Sequence, residues 1–254
     1  MQLIEIIHEN VPFKIRKHFE QEDKNVLGEV FSEQSYPLSR FIELAPDIIF
    51  DIGGHIGSFS KRCHHVFPGC HTFTLEPDEE NYRMCKENLD ELNNTNIIRG
   101  VFNYYPDKKY FYRSVKQASG GGFLTNELIA NKDGVNQQEE QVYALHENFD
   151  IPHYTLRSLM DEVGVDKVNL LKLDCEGGEN GFLKPDCRDL ELLKDIDIIM
   201  GEWHGHETVN ETGDSQSEFY NTMRELLRET HASWFHDPIS GDGLGIFGFS
   251  KKIN

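Results

Sequence analysis

Two carboxylate-bearing segments and one glycine turn carry the residue types that can do chemistry. Lys172-Leu173-Asp174-Cys175-Glu176-Gly177-Gly178-Glu179 sets three carboxylates within six residues after an apolar run. Glu202 and His204 follow Ile198-Ile199-Met200-Gly201, and alternation along a strand points both side chains the same way. A histidine there can take a proton near neutral pH, with Glu202 or Asp174 to orient it. The same residues allow a second chemistry, in which Asp174 and Glu202 hold Mg²⁺ and the ion acidifies a hydroxyl. No dense ligand cluster is visible in the sequence, so no metal residue is assigned and Mg²⁺ stays uncommitted. For Glu176 and Glu179, the preference of carboxylates for a helix N-terminus explains the spacing equally well.

The glycine turn is Asp51-Ile52-Gly53-Gly54-His55-Ile56-Gly57, directly after the apolar run Ile48-Ile49-Phe50. Glycines at 53, 54 and 57 let the backbone turn tightly and approach a ligand at the N-terminus of the next helix. The spacing, with an acid on the strand's last residue and adjacent glycines, departs from the G-x-G-x-x-G of nicotinamide-binding chains. The next apolar run ends Thr74-Leu75-Glu76-Pro77, a little over 20 residues beyond the first glycine. A carboxylate at that point accepts both hydrogen bonds of a ribose diol. Joined to Glu76, the turn reads as the site of a nucleoside-containing cofactor.

These residues need a sheet to bring them together. The apolar runs at Ile48 to Phe50, Thr72 to Leu75, Ile97-Ile98, Val168 to Leu173 and Ile196 to Met200 are short and bounded by turn or charged residues, as buried parallel strands are. Between them, Leu156, Leu159, Met160 and Val163 make a helical stripe with Gly164 as its stop. Tyr82, Cys85, Leu89 and Leu92 make another behind Asp78-Glu79-Glu80, and Phe219, Met223, Leu226 and Leu227 a third. Strands alternating with helices imply an α/β fold with an open, mostly parallel sheet and helices on both faces. Trp234-Phe235 and Leu244 to Phe249, with no helix between, predict a closing antiparallel hairpin.

Residues 1–46 predict an N-terminal cap, with a hairpin turning about Val11-Pro12 and a helix near Leu38 to Ile42. Residues 47–254 form the catalytic domain, interrupted by a polar insertion at about 113–153 that contains Gly120-Gly121-Gly122 and shows no period. A loop of that length is either a functional lid or disordered.

The chain of 254 residues carries 25 Lys+Arg against 44 Asp+Glu, a formal charge of −19. Such a field repels phosphate backbones and anionic bilayers, so nucleic acid and membrane are not expected partners and a small-molecule substrate is. No run approaches the roughly 18 apolar residues that span a bilayer, and Met1 to Ile7 has no basic leader. Five cysteines without a Cys-x-x-Cys pair fit free thiols. Together these give the expectation of a soluble, cytoplasmic protein; oligomeric state is not legible.

The glycine turn, Leu75-Glu76-Pro77, the Thr155-Leu156-Arg157-Ser158-Leu159 helix, Leu171 to Glu179 and Glu202-Trp203-His204 together resemble the FkbM family of S-adenosylmethionine-dependent methyltransferases over roughly residues 46–250. The most specific element is the Lys-x-Asp-x-Glu-Gly-x-Glu pattern. The resemblance implies a Rossmann-like class I sheet of seven strands with the last antiparallel, and O-methylation of a sugar hydroxyl or a hydroxylated natural product. Carried over by residue, Asp51, Gly53, Gly54 and Gly57 hold the methionine end of S-adenosylmethionine, Glu76 the ribose, and the adenine lies near Val101. His204 would be the general base, beside Glu202 and Asp174. Gly54-His55 stands where the family tends to show Ala-Asn, and Cys175 and Gly178 where Val and Ala are usual; the role of His55 is thus open. Two other readings share the same sheet: a nicotinamide-dependent sugar oxidoreductase, for which a Tyr-x-x-x-Lys spacing such as Tyr82 and Lys86 falls on a surface-like helix, and a non-catalytic cofactor-binding subunit.

Overall fold

The structure, a computed structural model, describes residues 1–104, 111–114, 121–123, 143–145, 151–184, 187–204, 215–238 and 244–252. The chain opens with β1 (Leu3–His8) and β2 (Val11–Arg16), paired antiparallel from Leu3 opposite Arg16 to His8 opposite Val11. Their turn is Glu9-Asn10, both at positive φ (45° and 67°), which matches the twist of a two-residue hairpin. The expected turn at Val11-Pro12 is therefore displaced. Pro12 sits inside β2, tolerable because each strand of a two-stranded ribbon is an edge.

Next comes α1 (Glu20–Val30), which the sequence reading lacked. It buries Asp23, Leu27 and Val30 at i, i+4 and i+7, and an acid in the first of those places hides the apolar period. Leu38–Leu44 is a 3₁₀ helix, ending at Ala45 in the left-handed region.

Alternation then begins with β3 (Ile48–Ile52), α2 (Ser58–Val66), β4 (His71–Glu76), α3 (Glu79–Leu89) and β5 (Thr95–Arg99). Asp78 caps α3 by accepting from the backbone N–H groups of Glu80 and Asn81. The buried face of α3 is Asn81, Met84, Cys85, Asn88 and Leu89, with Tyr82 only half-buried. Asn88 can be buried because its amide donates to the carbonyls of Lys14 and Ile56.

Flanking the insertion, β6 (Val101–Phe102) pairs with β10 (His153–Tyr154), while β7 (Phe111–Ser114), β8 (Gly121–Phe123) and β9 (Tyr143–Leu145) form a small antiparallel sheet. Strands thus replace the structureless loop over those residues, with Gly121 and Gly122 inside β8. The rest of the insertion lies outside the described residues, as does the expectation of a lid there.

The chain continues through α4 (Leu156–Val163), capped by Thr155 and stopped by Gly164 at φ 70° as predicted, then β11 (Leu170–Leu173). Short 3₁₀ helices cover Gly178–Leu183 and Arg188–Asp195, followed by β12 (Ile198–His204), α5 (Ser215–Leu227), β13 (His231–Pro238) and β14 (Leu244–Lys251).

Seven strands form the main sheet in the order β13-β14-β12-β11-β3-β4-β5. Pairs from β12 through β5 are parallel, and β14 runs antiparallel to both β12 and β13. This is the Rossmann-like architecture with a closing hairpin that the sequence predicts. Strand order reverses between β3 and β11, the point at which ligands bind outside the carboxyl ends of such sheets.

Alternation along the strands feeds two cores. Phe50, Ile52, Leu171, Leu173 and Ile199 face α4 and α5, while Ile49, Leu170, Ile198 and Met200 face the other way onto Phe13, Ile15, Leu27 and Phe59. Residues 1–46 thus cover one face of the sheet and reach its ligand-binding end. Among the described residues no helix is long and apolar enough to cross a membrane, and all five cysteines are free thiols.

Candidate active site

At the end of β3 the chain turns through Gly53 (φ 83°), His55 (φ 49°) and Gly57 (φ 81°). A Cβ on Gly53 would stand 1.7 Å from the Asp174 carbonyl oxygen, so that position admits hydrogen alone. The turn is tied to β4, since the N–H groups of Gly53 and Gly54 donate to the Leu75 carbonyl at 2.9 and 3.0 Å. Gly57 begins α2 without any side-chain cap, leaving that helix's first N–H groups and its positive end for an anion.

Beneath the turn stands Lys172, buried in an otherwise aliphatic strand. Its Nζ donates to the Gly53 carbonyl at 2.5 Å and lies 3.4 Å from Asp51 Oδ1 and 3.3 Å from Asp174 Oδ2. Burial would lower its pKa, but Asp174 and Asp51 outweigh that and hold it above the usual lysine range. Asp51 is fully buried and accepts from Ser60 Oγ at 2.8 Å; burial pushes its pKa up against the pull of Lys172. The structure thus places Asp51 under the turn, as its support, with no surface to offer a ligand.

Glu76 ends β4. Its Oε2 accepts from His55 N–H at 2.8 Å, and its Oε1 from Asp78 N–H at 2.9 Å and Asn81 Nδ2 at 3.4 Å. Burial, with Asp78 nearby, pushes it up to about 8. A shell from the N-terminal hairpin surrounds it. Arg16, with no exposed surface, forks onto Asp23, donates to Asn81 Oδ1 at 2.7 Å and stands 3.2 Å from His55 Nε2. Burial and the Arg16 charge push His55 down to about 4, so the ring is neutral and its Nε2 accepts from Arg16. The proton then sits on Nδ1, which is buried with no hydrogen-bond partner among the described residues. Val101, also buried, follows β5 in the neighbouring short strand.

At the ends of β11 and β12 lies the second half of the site. His204 Nδ1 is 2.9 Å from Glu179 Oε1, which also accepts the His204 backbone N–H at 2.7 Å. Its Nε2 faces Asp174 Oδ1 at 4.0 Å, Glu176 Oε2 at 3.8 Å and Glu202 Oε2 at 3.9 Å. Burial would lower the imidazole pKa, but Glu179, Glu176 and Asp174 outweigh it and push it up to about 10. Crowding splits the carboxylates: burial and Asp174 push Glu202 up to about 10, and burial pushes Glu176 up to about 7. Asp174 goes the other way, because Lys172 and His204 outweigh its burial. The N-terminal segment closes this side too, with the Tyr36 hydroxyl 3.4 Å from Asp174 Oδ2 and Glu29 near enough to push Glu202 further up.

Asp174, Glu202 and His204 therefore converge, with one ligand-type atom from each lying within 4.8 Å of the others. Glu179 holds His204 Nδ1, where the sequence left a helix-start role and a functional role equally open for it and assigned the orienting role to Glu202 or Asp174. Lys172 had a legible signal, a lysine among Leu170, Leu171 and Leu173. Arg16, Asp23, Tyr36 and Glu29 had none.

The chain belongs to the family of the methyltransferase FkbM domain, which matches residues 51–231. With that it stands among the S-adenosylmethionine-dependent methyltransferases. No curated protein matches the sequence. Among solved structures, a protein from Streptococcus mutans assigned as an S-adenosylmethionine-dependent methyltransferase is similar at 7% identity and TM-score 0.48, covering 98% of this chain. This chain spans 55% of that protein's length. The Methanococcus jannaschii fibrillarin pre-rRNA processing protein is similar at 12% identity and TM-score 0.47 over 98% of this chain and 82% of its own. An O-methyltransferase from Bacillus cereus, solved with S-adenosylhomocysteine, is similar at 13% identity and TM-score 0.40 over 93% and 92%.

Proposed function

We propose that the chain transfers the methyl group of S-adenosylmethionine to a hydroxyl of a small molecule, a sugar or a hydroxylated natural product. The observation that carries this reading is the facing arrangement of Glu76 with its glycine turn and the carboxylate cluster around His204, both at the carboxyl ends of adjoining strands. When bound, the cofactor supplies an electrophilic sulfonium methyl, which is the hard part of the chemistry.

The residues present fit that cofactor. The uncapped start of α2 suits its carboxylate, reached over Gly53, Gly54 and Gly57. Glu76 keeps lone pairs for a ribose diol beyond the backbone N–H groups it already accepts. The partnerless Nδ1–H of His55 is a buried donor beside Glu76, able to serve a cofactor oxygen. Val101 offers an apolar wall for the adenine. Asp51 acts through Lys172, which grips both the Gly53 carbonyl and Asp174 and so fixes the two halves of the site to each other.

For the acceptor, Asp174, Glu202 and His204 are the catalytic residues. His204 already carries a proton near neutral pH, so the role of general base passes to Asp174, which Lys172 and His204 hold ionised. The imidazolium, held by Glu179, then stabilises the developing alkoxide. A nicotinamide oxidoreductase loses its ground with the family assignment. The cytoplasm is the compartment that the free thiols favour.

The test is incubation with methyl-labelled S-adenosylmethionine and mixed pools of sugars and hydroxylated small molecules, with RNA and protein as parallel acceptors. Label is expected in the small-molecule fraction, reduced about 10²–10⁴-fold in Asp174→Asn and Glu202→Gln. Label in RNA or protein alone, or transfer unchanged in both variants, overturns the reading.

A further inference from the structure

We propose that Asp174, Glu202 and His204 bind a divalent cation of the Mn²⁺ type at the carboxyl ends of β11 and β12. The site rests on the methyltransferase reading only for its use; the binding itself follows from the side chains.

Three features point to an ion. First, the donor set is mixed. One atom from each residue, an imidazole nitrogen and two carboxylate oxygens, lies within 4.8 Å of the others. Bonds of about 2.0–2.2 Å to a first-row divalent ion put opposite ligands slightly more than 4 Å apart, so shifts of a few tenths of an ångström close the shell. An imidazole beside two carboxylates favours Mn²⁺, Fe²⁺ or Zn²⁺ over Mg²⁺.

Second, the outer shell is already built. Glu179 accepts from His204 Nδ1 at 2.9 Å, which turns Nε2 toward Asp174 and Glu202, as metal-ligating histidines are commonly held. Lys172 and the Tyr36 hydroxyl both take Asp174 Oδ2, at 3.3 and 3.4 Å, and leave Oδ1 facing the imidazole. His204 and Asp174 are thus both oriented by groups outside the cluster.

Third, there is a route in and a charge to meet. The side chains of Asp174 and Glu202 are 27% and 14% exposed, while His204 lies behind them at 5%. Among the described residues, Asp51 and Asp174 lie beside the Lys172 ammonium, and Asp174, Glu176, Glu179 and Glu202 crowd the His204 imidazole. An ion entering past Asp174 and Glu202 leaves positions open toward the acceptor. Oxygen ligands fit those positions, so the acceptor hydroxyl that the ion would hold is one with a second oxygen close by.

The test is titration of the EDTA-treated, dialysed full chain with Mn²⁺, followed by loss of the free-ion electron paramagnetic resonance signal. One ion per chain is expected, with an imidazole nitrogen coupling in the electron spin echo that disappears in His204→Gln. Glu202→Gln, a conservative change at a partly exposed position, should weaken binding at least tenfold, and Glu179→Gln about 10- to 100-fold as the loss of an orienting partner. Glu225→Gln, at an exposed surface pair, should change nothing. Several weak sites unaffected by Glu202→Gln, or no nitrogen coupling, overturn the proposal. S-adenosylhomocysteine binding, measured on each variant, separates the outcomes. If it persists while Mn²⁺ binding fails, the metal alone is rejected; if it is absent from the unaltered chain, the methyltransferase reading fails instead.

Discussion

Replacing Lys172 with methionine removes the cation that stands between Asp51 and Asp174 while keeping an unbranched side chain of nearly the same length. Asp51 has no exposed surface, and its other oxygen is already committed to Ser60. Breaking a buried pair by deleting one partner costs about 3–5 kcal/mol, because the charge left behind cannot rehydrate. Asp174, 27% exposed, can turn to solvent, so most of that cost falls on Asp51. Its pKa, raised by burial even with Lys172 present, rises further without it. A carboxyl with a folded pKa above its unfolded value adds stability below the unfolded value and loses it as pH rises through the folded one. The deficit of the variant therefore shrinks on acidification, by at most about 1.4 kcal/mol per pH unit. Urea unfolding of both proteins at pH 7 and pH 5, followed by tryptophan fluorescence, reads this directly. A cost below about 1 kcal/mol at pH 7, or a deficit that grows at pH 5, would refute the account of Lys172 as the pillar under the glycine turn.

Gly53→Ala puts a methyl 1.7 Å from the Asp174 carbonyl oxygen at a positive φ, so S-adenosylhomocysteine binding in a calorimeter should be lost even where circular dichroism shows a folded chain. Glu76, pushed up to about 8, accepts two ribose donors best when ionised; S-adenosylhomocysteine affinity should rise roughly tenfold between pH 7 and 9 and stay flat in Glu76→Gln. Arg16→Lys keeps the charge but loses the fork that reaches Asp23 and Asn81 together, and should weaken S-adenosylhomocysteine binding by about tenfold; exposed Lys24→Met is the control and should leave it unchanged.

The main sheet was legible because its signals are local. Short apolar runs alternating with helical stripes fix the strands, Gly164 and Asp78 mark helix ends, and right-handed crossovers do the rest. The same logic carries Asp174, Glu202 and His204 to one end of the sheet, since each closes or directly follows a parallel strand. What surrounds them was not legible, because it comes from far away in the chain. Tyr36 meets Asp174 across 138 residues and Arg16 meets Asn81 across 65. No period or spacing encodes such contacts. In α1, a buried Asp23 occupies a place that an amphipathic pattern reserves for an apolar residue, so the helix that brings Glu29 to Glu202 leaves no stripe. The hairpin turn had a cue in Asn10, a residue that tolerates the left-handed region, but Pro12 is the louder turn signal and drew the boundary two residues too far. His204 shows the limit of composition most clearly. Its position is local, but its proton affinity is set by Glu179, Glu176 and Asp174 together.

The central claim is that the glycine turn and Glu76 hold S-adenosylmethionine. Calorimetric titration of the purified chain with S-adenosylhomocysteine, run beside NAD, tests it most directly. The account predicts saturable one-to-one binding to S-adenosylhomocysteine alone, lost in both Glu76→Ala and Gly53→Val. Binding to NAD, or S-adenosylhomocysteine affinity unchanged in the two variants, would contradict it.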